Sequence, residues 1–389
     1  MNIQHLFRLV FLLLFVLVFA FSCGKQKAKW QGTIEEVDGI TIVRNPEEPL
    51  YPDKIINFEE DLSIGVEEGN ENYMFSNPID IDSDSEGNIY VLDLRELTIK
   101  KYDANGIFKK TIGRKGQGPG EFQYPYGFCI DGSDFIYITD AVNRRIDILD
   151  CEGVHQDTLV LDFSCSNISD YSENKLVVYY NLYKQRDEER RKVSKVGIFD
   201  IEQNKISDFY EIERPLFNSI QSKEYRIDLP SERFDVDSNG NLYIGNNDKY
   251  EINVYEPSGN KFLIFSKLRE PIPLDPEIKA KALKQLSKSS FPTDLGEYEN
   301  LIKYHSFFNS LSIDENDRIW IKLFQLFDEN ETKRFSLYDI FSTDGKYLFT
   351  TKIDRGISGQ LIFKNGFAYG LTRDELGYSK AVRLRVSEN

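Results

Sequence analysis

Residues 116–153 read GQGPGEFQYPYGFCIDGSDFIYITDAVNRRIDILDCEG, and they repeat the grammar of the residues just before them. A glycine-rich crossing leads into a short strand ending at Asp131. A tight turn follows, then an apolar strand ending at Asp140, then Asn143-Arg144-Arg145-Ile146 and a strand closing on a Glu-Gly turn. The preceding copy has Ile79-Asp80-Ile81-Asp82, then Gly87-Asn88-Ile89-Tyr90-Val91-Leu92-Asp93, a third strand at 99–102 and the turn Asp103-Ala104-Asn105-Gly106. Two consecutive copies of a four-stranded unit imply a repeat architecture.

The aromatic residue of the second strand sets the period. Tyr90 and Tyr137 are 47 residues apart, a spacing expected of a propeller blade. Tyr243 marks another copy, with Asp235, Asp237 and Gly240 before it. The interval between Tyr137 and Tyr243 leaves room for one degenerate blade, with strands at 176–180 and 196–200. Trp320 marks a further copy, and a last one spans Leu361 to Val386 around Asn365-Gly366. The chain therefore predicts an all-β, six-bladed β-propeller.

In the second strand of the first copy, Ile89 and Val91 face one side while Tyr90 and Leu92 face the other. A strand apolar on both faces must lie between two neighbours, as blade sheets do when stacked around a ring. Asp, Asn and Gly punctuate the turns, and aromatic residues make up 13% of the chain. Residues 32–43 hold two short strands around Asp38-Gly39. They are expected to pair with the C-terminal strands and close the ring.

The repeats resemble NHL repeats, in which a G-x-G-x-G-x-F crossing precedes D-x-x-G-x-I-Y-V-x-D-x-x-N-x-R-I. Gly116, Gly118, Gly120 and Phe122 match the crossing; Tyr137, Asp140, Asn143, Arg145 and Ile146 match the rest. The match is specific over 77–153, moderate over 234–259 and weak elsewhere, and residues 94–97 lack the Asn and Arg positions. The arrangement is similar to a bacterial family of six-bladed propeller lipoproteins of undefined role, so the resemblance implies a fold rather than a chemistry.

At the N-terminus, Arg8 precedes an apolar run, 9–21, that is too short to span a bilayer and suits a signal peptide. Ser22-Cys23 resembles a lipobox with Ala20 at its usual leucine position. The expected organisation is a signal over 1–22, lipidation of Cys23, a tether over 23–31, and a propeller over 32–389 with a helical insertion at about 268–307, between blades 4 and 5. An ordinary cleavage site and an uncleaved anchor are the alternatives. This reading places the protein at the bacterial cell envelope, held to the outer membrane by an N-terminal lipid. A net charge of −16 argues against nucleic acid.

Beyond Cys23 the cysteines are Cys129, Cys151 and Cys165, without metal-ligand spacing. Cys129 is expected as a small buried residue, and Cys151 and Cys165 as free thiols, with a disulfide between them the lesser alternative. His155 and His305 are the only histidines outside the signal, and no Gly-x-Ser-x-Gly elbow accompanies either. Asp235-Val236-Asp237-Ser238-Asn239-Gly240 opens like a calcium loop, but Asn246 stands where the bidentate Glu belongs, so a β-turn is expected. No cofactor or metal is expected.

Long connections are expected on one face of the ring, at 181–192 and 267–307, and long loops on a rigid scaffold tend to carry function. In the second, Asp275-Pro276 should start a helix. Ile278, Ala282, Leu283 and Leu286 form its apolar stripe, with Lys279, Lys281, Lys284 and Lys288 mainly off it. A second short helix is expected within 295–304, and the pair is either a lid or a decoration on a blade edge. The charged stretch 184–192 reads as a solvated hairpin tip. Tyr126, Arg144, Arg233, Lys249, Tyr304 and His305 are the candidate ligand-binding residues, all expected around the channel mouth on the long-loop face. No catalytic residue is singled out. The predicted role is an exported binding or scaffold module for a polar or anionic ligand such as a glycan, a peptide or an envelope protein. The alternative is a lactonase-like hydrolase or lyase working in the channel mouth.

Overall fold

A computed structural model describes residues 29–388 except 173, 187–188, 217–218, 222–225, 229, 289–294 and 326–333. The expected signal over 1–22 and Cys23 lie outside these residues, as does part of the 184–192 tip. The fold is a six-bladed β-propeller.

Three strands precede the first blade: β1 (Thr33–Val37), β2 (Ile40–Asn45) and β3 (Ile56–Ile64). Blade 1 is β4 to β7 (Pro78–Ser83, Ile89–Asp93, Thr98–Tyr102, Phe108–Ile112). Blade 2 is β8 to β11 (Pro125–Ile130, Ile136–Asp140, Arg145–Leu149, His155–Val160). Blade 3 is β12 to β15 (Ser164–Ser172, Lys175–Arg186, Glu189–Asp200, Lys205–Pro215). A two-stranded ribbon, β16 and β17 (Ser219–Gln221, Arg226–Asp228), follows it. Blade 4 is β18 to β21 (Glu232–Val236, Leu242–Asn246, Glu251–Tyr255, Lys261–Lys267). Helices α1 (Pro276–Leu286) and α2 (Leu295–Leu301) come next. Blade 5 is β22 to β25 (Phe308–Ile313, Ile319–Leu323, Ser336–Phe341, Tyr347–Ile353). Blade 6 is β26 to β28 (Ile357–Lys364, Phe367–Arg373, Ser379–Glu388) plus β3 as its outer strand.

Ring closure corrects the expectation for residues 32–43. It is β3 that pairs antiparallel with β28, and Asp61 receives hydrogen bonds from Arg383 (2.7 Å) and Arg385 (2.9 Å) across that pair. The β1–β2 hairpin instead extends blade 4, with β2 running parallel to β21. Asn45 at its end is buried and reaches blade 5, donating to the Gly345 carbonyl (2.8 Å) and accepting from the Tyr347 amide (2.7 Å).

The reason for the sequence period lies in the first turn of blades 1, 2, 4 and 5. Asp84, Asp131, Asp237 and Asp314 each accept backbone N–H groups two and four residues on, at 2.8–3.1 Å. The second carboxylate oxygen accepts from the aromatic six residues later: Tyr90, Tyr137 and Tyr243 hydroxyls at 2.9, 3.2 and 3.3 Å, and Trp320 Nε1 at 2.8 Å. One side chain thus fixes both the turn and the register of the second strand. Asp237 serves as a turn residue, as the β-turn reading expects.

Each blade junction holds one hydrophobic cluster. Tyr90 and Leu92 pack on Phe128 and Ile138 between blades 1 and 2, which is why β5 and β9 are buried on both faces. Among the described residues the clusters range from fifteen buried residues between blades 4 and 5 to six between blades 3 and 4, so the last is the thinnest junction. Cys129, Cys151 and Cys165 are free thiols. Burial pushes Cys165 up to about 12.

Candidate functional site

The turns joining first to second and third to fourth strands are short and share one face. The opposite face carries the crossings between blades, including 65–77, 113–124, 216–231 and 268–307. Buried aspartates at the ends of second strands hold this long-loop face in shape. Asp140 accepts the amides of Gln123, Tyr124, Val142 and Asn143 at 2.7–3.2 Å. Asp93 does the same for Ser76, Asn77, Arg95 and Glu96. Arg145 donates to the carbonyls of Gln117, Gly118 and Glu121 at 2.6–2.8 Å. Asp140 and Arg145 therefore fasten the glycine-rich crossing, where Gly120 takes a φ of 67°.

The six candidate residues fall into two groups separated by blade 3. At blade 2, Tyr126 stacks on Tyr124 with ring centres 5.7 Å apart and planes 15° apart. Both rings are exposed, at 47% and 42%. The neighbouring turn bears exposed Val142 and Arg144, and its Ala141 amide donates to the Tyr124 carbonyl at 3.1 Å. Tyr124, which the sequence reading passed over, was signalled by its place in Tyr124-Pro125-Tyr126.

At blade 4, Arg233 donates to the Asn309 carbonyl (2.5 Å), Ser231 Oγ (2.6 Å) and the Glu232 carbonyl (2.9 Å). Its guanidinium ties blade 4 to blade 5. Lys249 is exposed in a turn that the Phe307 amide grips through the Asn247 carbonyl at 2.9 Å. Tyr304 is exposed, with the Lys303 ammonium 5.1 Å from its ring centre. His305 stacks on Phe324 at 4.5 Å, and burial lowers its pKa.

The insertion forms α1 and α2 as expected, with Asp275 capping α1 by accepting from Glu277 and Ile278 amides. The helices share a small core with the ribbon, built on Ile227, Leu274, Ala282, Leu286 and Tyr298. This cap reaches blade 3 through a forked ion pair from Arg191 to Glu297. The stretch read as a solvated tip is therefore partly a contact surface. Arg191 holds the cap, and Lys192 beside it is buried.

Beneath that edge, a polar layer separates blades 3 and 4. Arg214 donates to Glu232 (2.7 Å) and to the Pro230 carbonyl (2.8 Å), and both side chains are buried. Arg214 Nη2 and Asp248 Oδ1 are buried without a hydrogen-bond partner. Glu232 Oε2 is likewise buried without a hydrogen-bond partner, and the nearby Tyr179 hydroxyl donates to Ser194 at 3.2 Å. Burial pushes Lys192 down to about 8 and raises Asp248.

Along the axis, carboxylates at the innermost strands cap the free strand edge of the next blade. Asp80 and Asp82 accept the amides of Phe128 (3.1 Å) and Ile130 (2.8 Å), and Asp235 accepts that of Ile313 (2.8 Å). Ser312 does the same for Leu361 at 3.2 Å. Lys364 donates to Asp82 (2.9 Å) and to the carbonyls of Ser83 (3.2 Å) and Ile130 (2.8 Å). Burial depresses this ammonium, but Asp82 more than offsets it and its pKa is raised. Burial pushes Asp80 and Asp235 up to about 7. Among the described residues, no group of three His, Cys, Asp or Glu is arranged to hold a metal. His155 lies 2.7 Å from Thr158 Oγ1, which itself donates to Asp147.

A family model described as a 6-bladed beta-propeller matches residues 68–234, which span blades 1 to 3 and the start of blade 4. No curated protein matches the chain significantly. Among solved structures, the chain is similar to a Bacteroides vulgatus member of the DUF4221 family, at 10% identity and a TM-score of 0.53. That match covers 86% of this chain and 98% of the other. It is also similar to a Bacteroides fragilis protein described as exported, at 12% identity and a TM-score of 0.51, covering 89% and 99%. At these identities the likeness concerns the fold alone.

Proposed function

We propose that this propeller is an exported, lipid-anchored, non-catalytic binding module whose ligand lies on the long-loop face at Tyr124, Tyr126 and Arg144. The stacked, solvent-facing tyrosine pair carries the reading. Two large rings left exposed beside a cation lose little conformational entropy on binding, and Tyr and Arg are favoured hot-spot types. Such a surface suits the flat face of a sugar ring or an aromatic peptide side chain, with Arg144 taking an acidic or polar substituent. The two mature-chain histidines support binding over hydrolysis, because both are engaged in packing or local hydrogen bonds.

An array of glycans and short peptides probed with the intact protein tests this. Tyr126→Ala with Arg144→Ala should weaken the retained ligand at least about tenfold, or 1.4 kcal/mol. Undiminished retention would remove the site from this face. The anchor is tested separately: labelled palmitate should enter the wild type and not Cys23→Ser, and equal labelling would defeat lipidation at that residue.

A further inference from the structure

The thin junction between blades 3 and 4 opens on the short-turn face, away from the tyrosine pair, into a cleft of about 520 Å³. That volume falls in the ordinary range for small-ligand sites. One wall is the face of blade 3, and the other is made of the first and last turns of blade 4, with Asn239, Gly240 and Pro257. A row of charge crosses the blade 3 wall. Lys175 stands directly opposite Asp200, and Asp200 directly opposite Lys205, on three adjacent strands.

Cross-strand neighbours of opposite charge would ordinarily pair. Here they do not, because Gln203 occupies both oxygens of Asp200, its amide at 2.8 Å and its side-chain nitrogen at 3.1 Å. Among the described residues, neither the Lys175 nor the Lys205 side chain has an ion pair or hydrogen bond. Two ammonium groups without an ion-pair partner thus face one cleft, outnumbering the single Asp200 carboxylate between them, in a chain of net charge −16.

The remaining lining is amphipathic in a particular way. The rings of Tyr171 and Phe209 and the Pro257 ring offer apolar faces, while Ser207 and Asn239 add hydroxyl and amide groups. Tyr171 is fixed across the junction by donating to the Gly240 carbonyl at 3.0 Å, and Phe209 is held edge-on against Tyr255. Gly240 has a φ of 77°, and a side chain there would press on the Tyr171 hydroxyl, so that wall stays open. Apolar ring faces, short hydrogen-bonding groups and two cations match a pyranose chain bearing acidic groups. A ring-free acidic peptide such as hexaglutamate would match the cations but not the ring faces.

We propose that this cleft binds an anionic oligosaccharide through Lys175 and Lys205, at a site separate from the long-loop face. The test is an array carrying neutral, uronate-containing, sialylated and sulfated oligosaccharides with hexaglutamate alongside, probed with the intact protein. Acidic oligosaccharides should be retained, less so as salt rises from 0.05 to about 0.5 M. Lys175→Gln with Lys205→Gln should cut retention at least about tenfold at an unchanged melting temperature, while Tyr126→Ala with Arg144→Ala should leave it alone. If the double lysine variant melts early, Lys205→Gln alone replaces it, with a threefold loss expected. Failure to retain any acidic oligosaccharide, equal retention by the lysine variants, or preference for neutral sugars or hexaglutamate would overturn the proposal. None of these outcomes bears on Tyr126 and Arg144, whose own variants report on the other face.

Discussion

The junction between blades 1 and 2 and that between blades 3 and 4 solve one problem in different ways. An innermost strand has a free edge on the axis, and its buried amides need acceptors. At the first junction Asp80 and Asp82 supply them, and Ser85 in the first turn of blade 1 binds Asp134 in the first turn of blade 2. Blades 4 and 5 repeat the device with Asp235 and with Ser238 on Asp317. Between blades 3 and 4, among the described residues, the ties are the Tyr171 and Tyr210 hydroxyls, six buried apolar residues and a buried Arg214–Glu232 pair. That junction is also where the cap sits on one face and the cleft opens on the other. Repetition marks the scaffold of this ring, and where it stops, between blades 3 and 4, a cleft opens.

The largest expected effect attacks a regular junction. Removing β3 unpairs the edge of β28 and strips Ile64 from the cluster between blades 6 and 1. A chain lacking residues 29–64 should lose cooperative melting or aggregate. One lacking only 29–45 should keep a cooperative transition at a moderately lower temperature, since β1 is exposed along its length. Equal damage from both truncations would mean that the β1–β2 hairpin, and not β3 alone, closes the ring.

This outcome also measures what the sequence concealed. The period was legible because the turn aspartate and the aromatic six residues later recur at fixed spacing. The closing strand was not. Its Glu59-Glu60-Asp61 run reads as a solvated loop until Arg383 and Arg385 are known to lie opposite Asp61. Charge also hid the length of the blade 3 hairpin, whose strands continue through Lys184, Arg191 and Lys192. Tyr126 and Arg144 could be placed from strand order alone. Arg233 could be placed as well, but its engagement with the Asn309 carbonyl depends on how closely two blades approach. Spacing in sequence carries no such distance.

A smaller effect separates the two kinds of junction energetically. Replacing a buried ion pair by apolar residues of similar size is often neutral, whereas leaving a buried amide without an acceptor costs about 1–3 kcal/mol. Arg214→Met with Glu232→Met should therefore change stability by less than about 1 kcal/mol in urea melts. Asp82→Ala with Lys364→Met should cost about 2 kcal/mol or more, because the Ile130 amide loses its partner as well. Glu232→Ala alone, which strands Arg214, should cost about 3 kcal/mol or more. If the two double variants cost the same, the carboxylate caps are no more important to the ring than the ion pair.

The smallest effect is a pH dependence with opposite signs at buried carboxylates and at buried lysines. Asp80 and Asp235, at regular junctions, are pushed by burial from an ordinary 3.8 to about 7. Between those values the folded chain keeps protons that the unfolded chain has released, so stability falls as pH rises from about 4 to about 7. Lys192, at the thin junction, and Lys322, on the second strand of blade 5, are pushed by burial from 10.5 to about 8. There the unfolded chain holds the extra proton between about 8 and about 10, and stability rises with pH. The melting temperature should pass through a shallow minimum between about pH 7 and pH 8, a few degrees below its value at about pH 5. Ser312 shows how to isolate the acidic limb, since it caps the Leu361 amide with a group that does not titrate in this range. Asp235→Ser transfers that solution to blade 4 and should flatten the fall between pH 5 and pH 7 relative to wild type. An unchanged slope in the variant would mean that Asp235 is already ionised at pH 5 and that its backbone hydrogen bonds outweigh its burial.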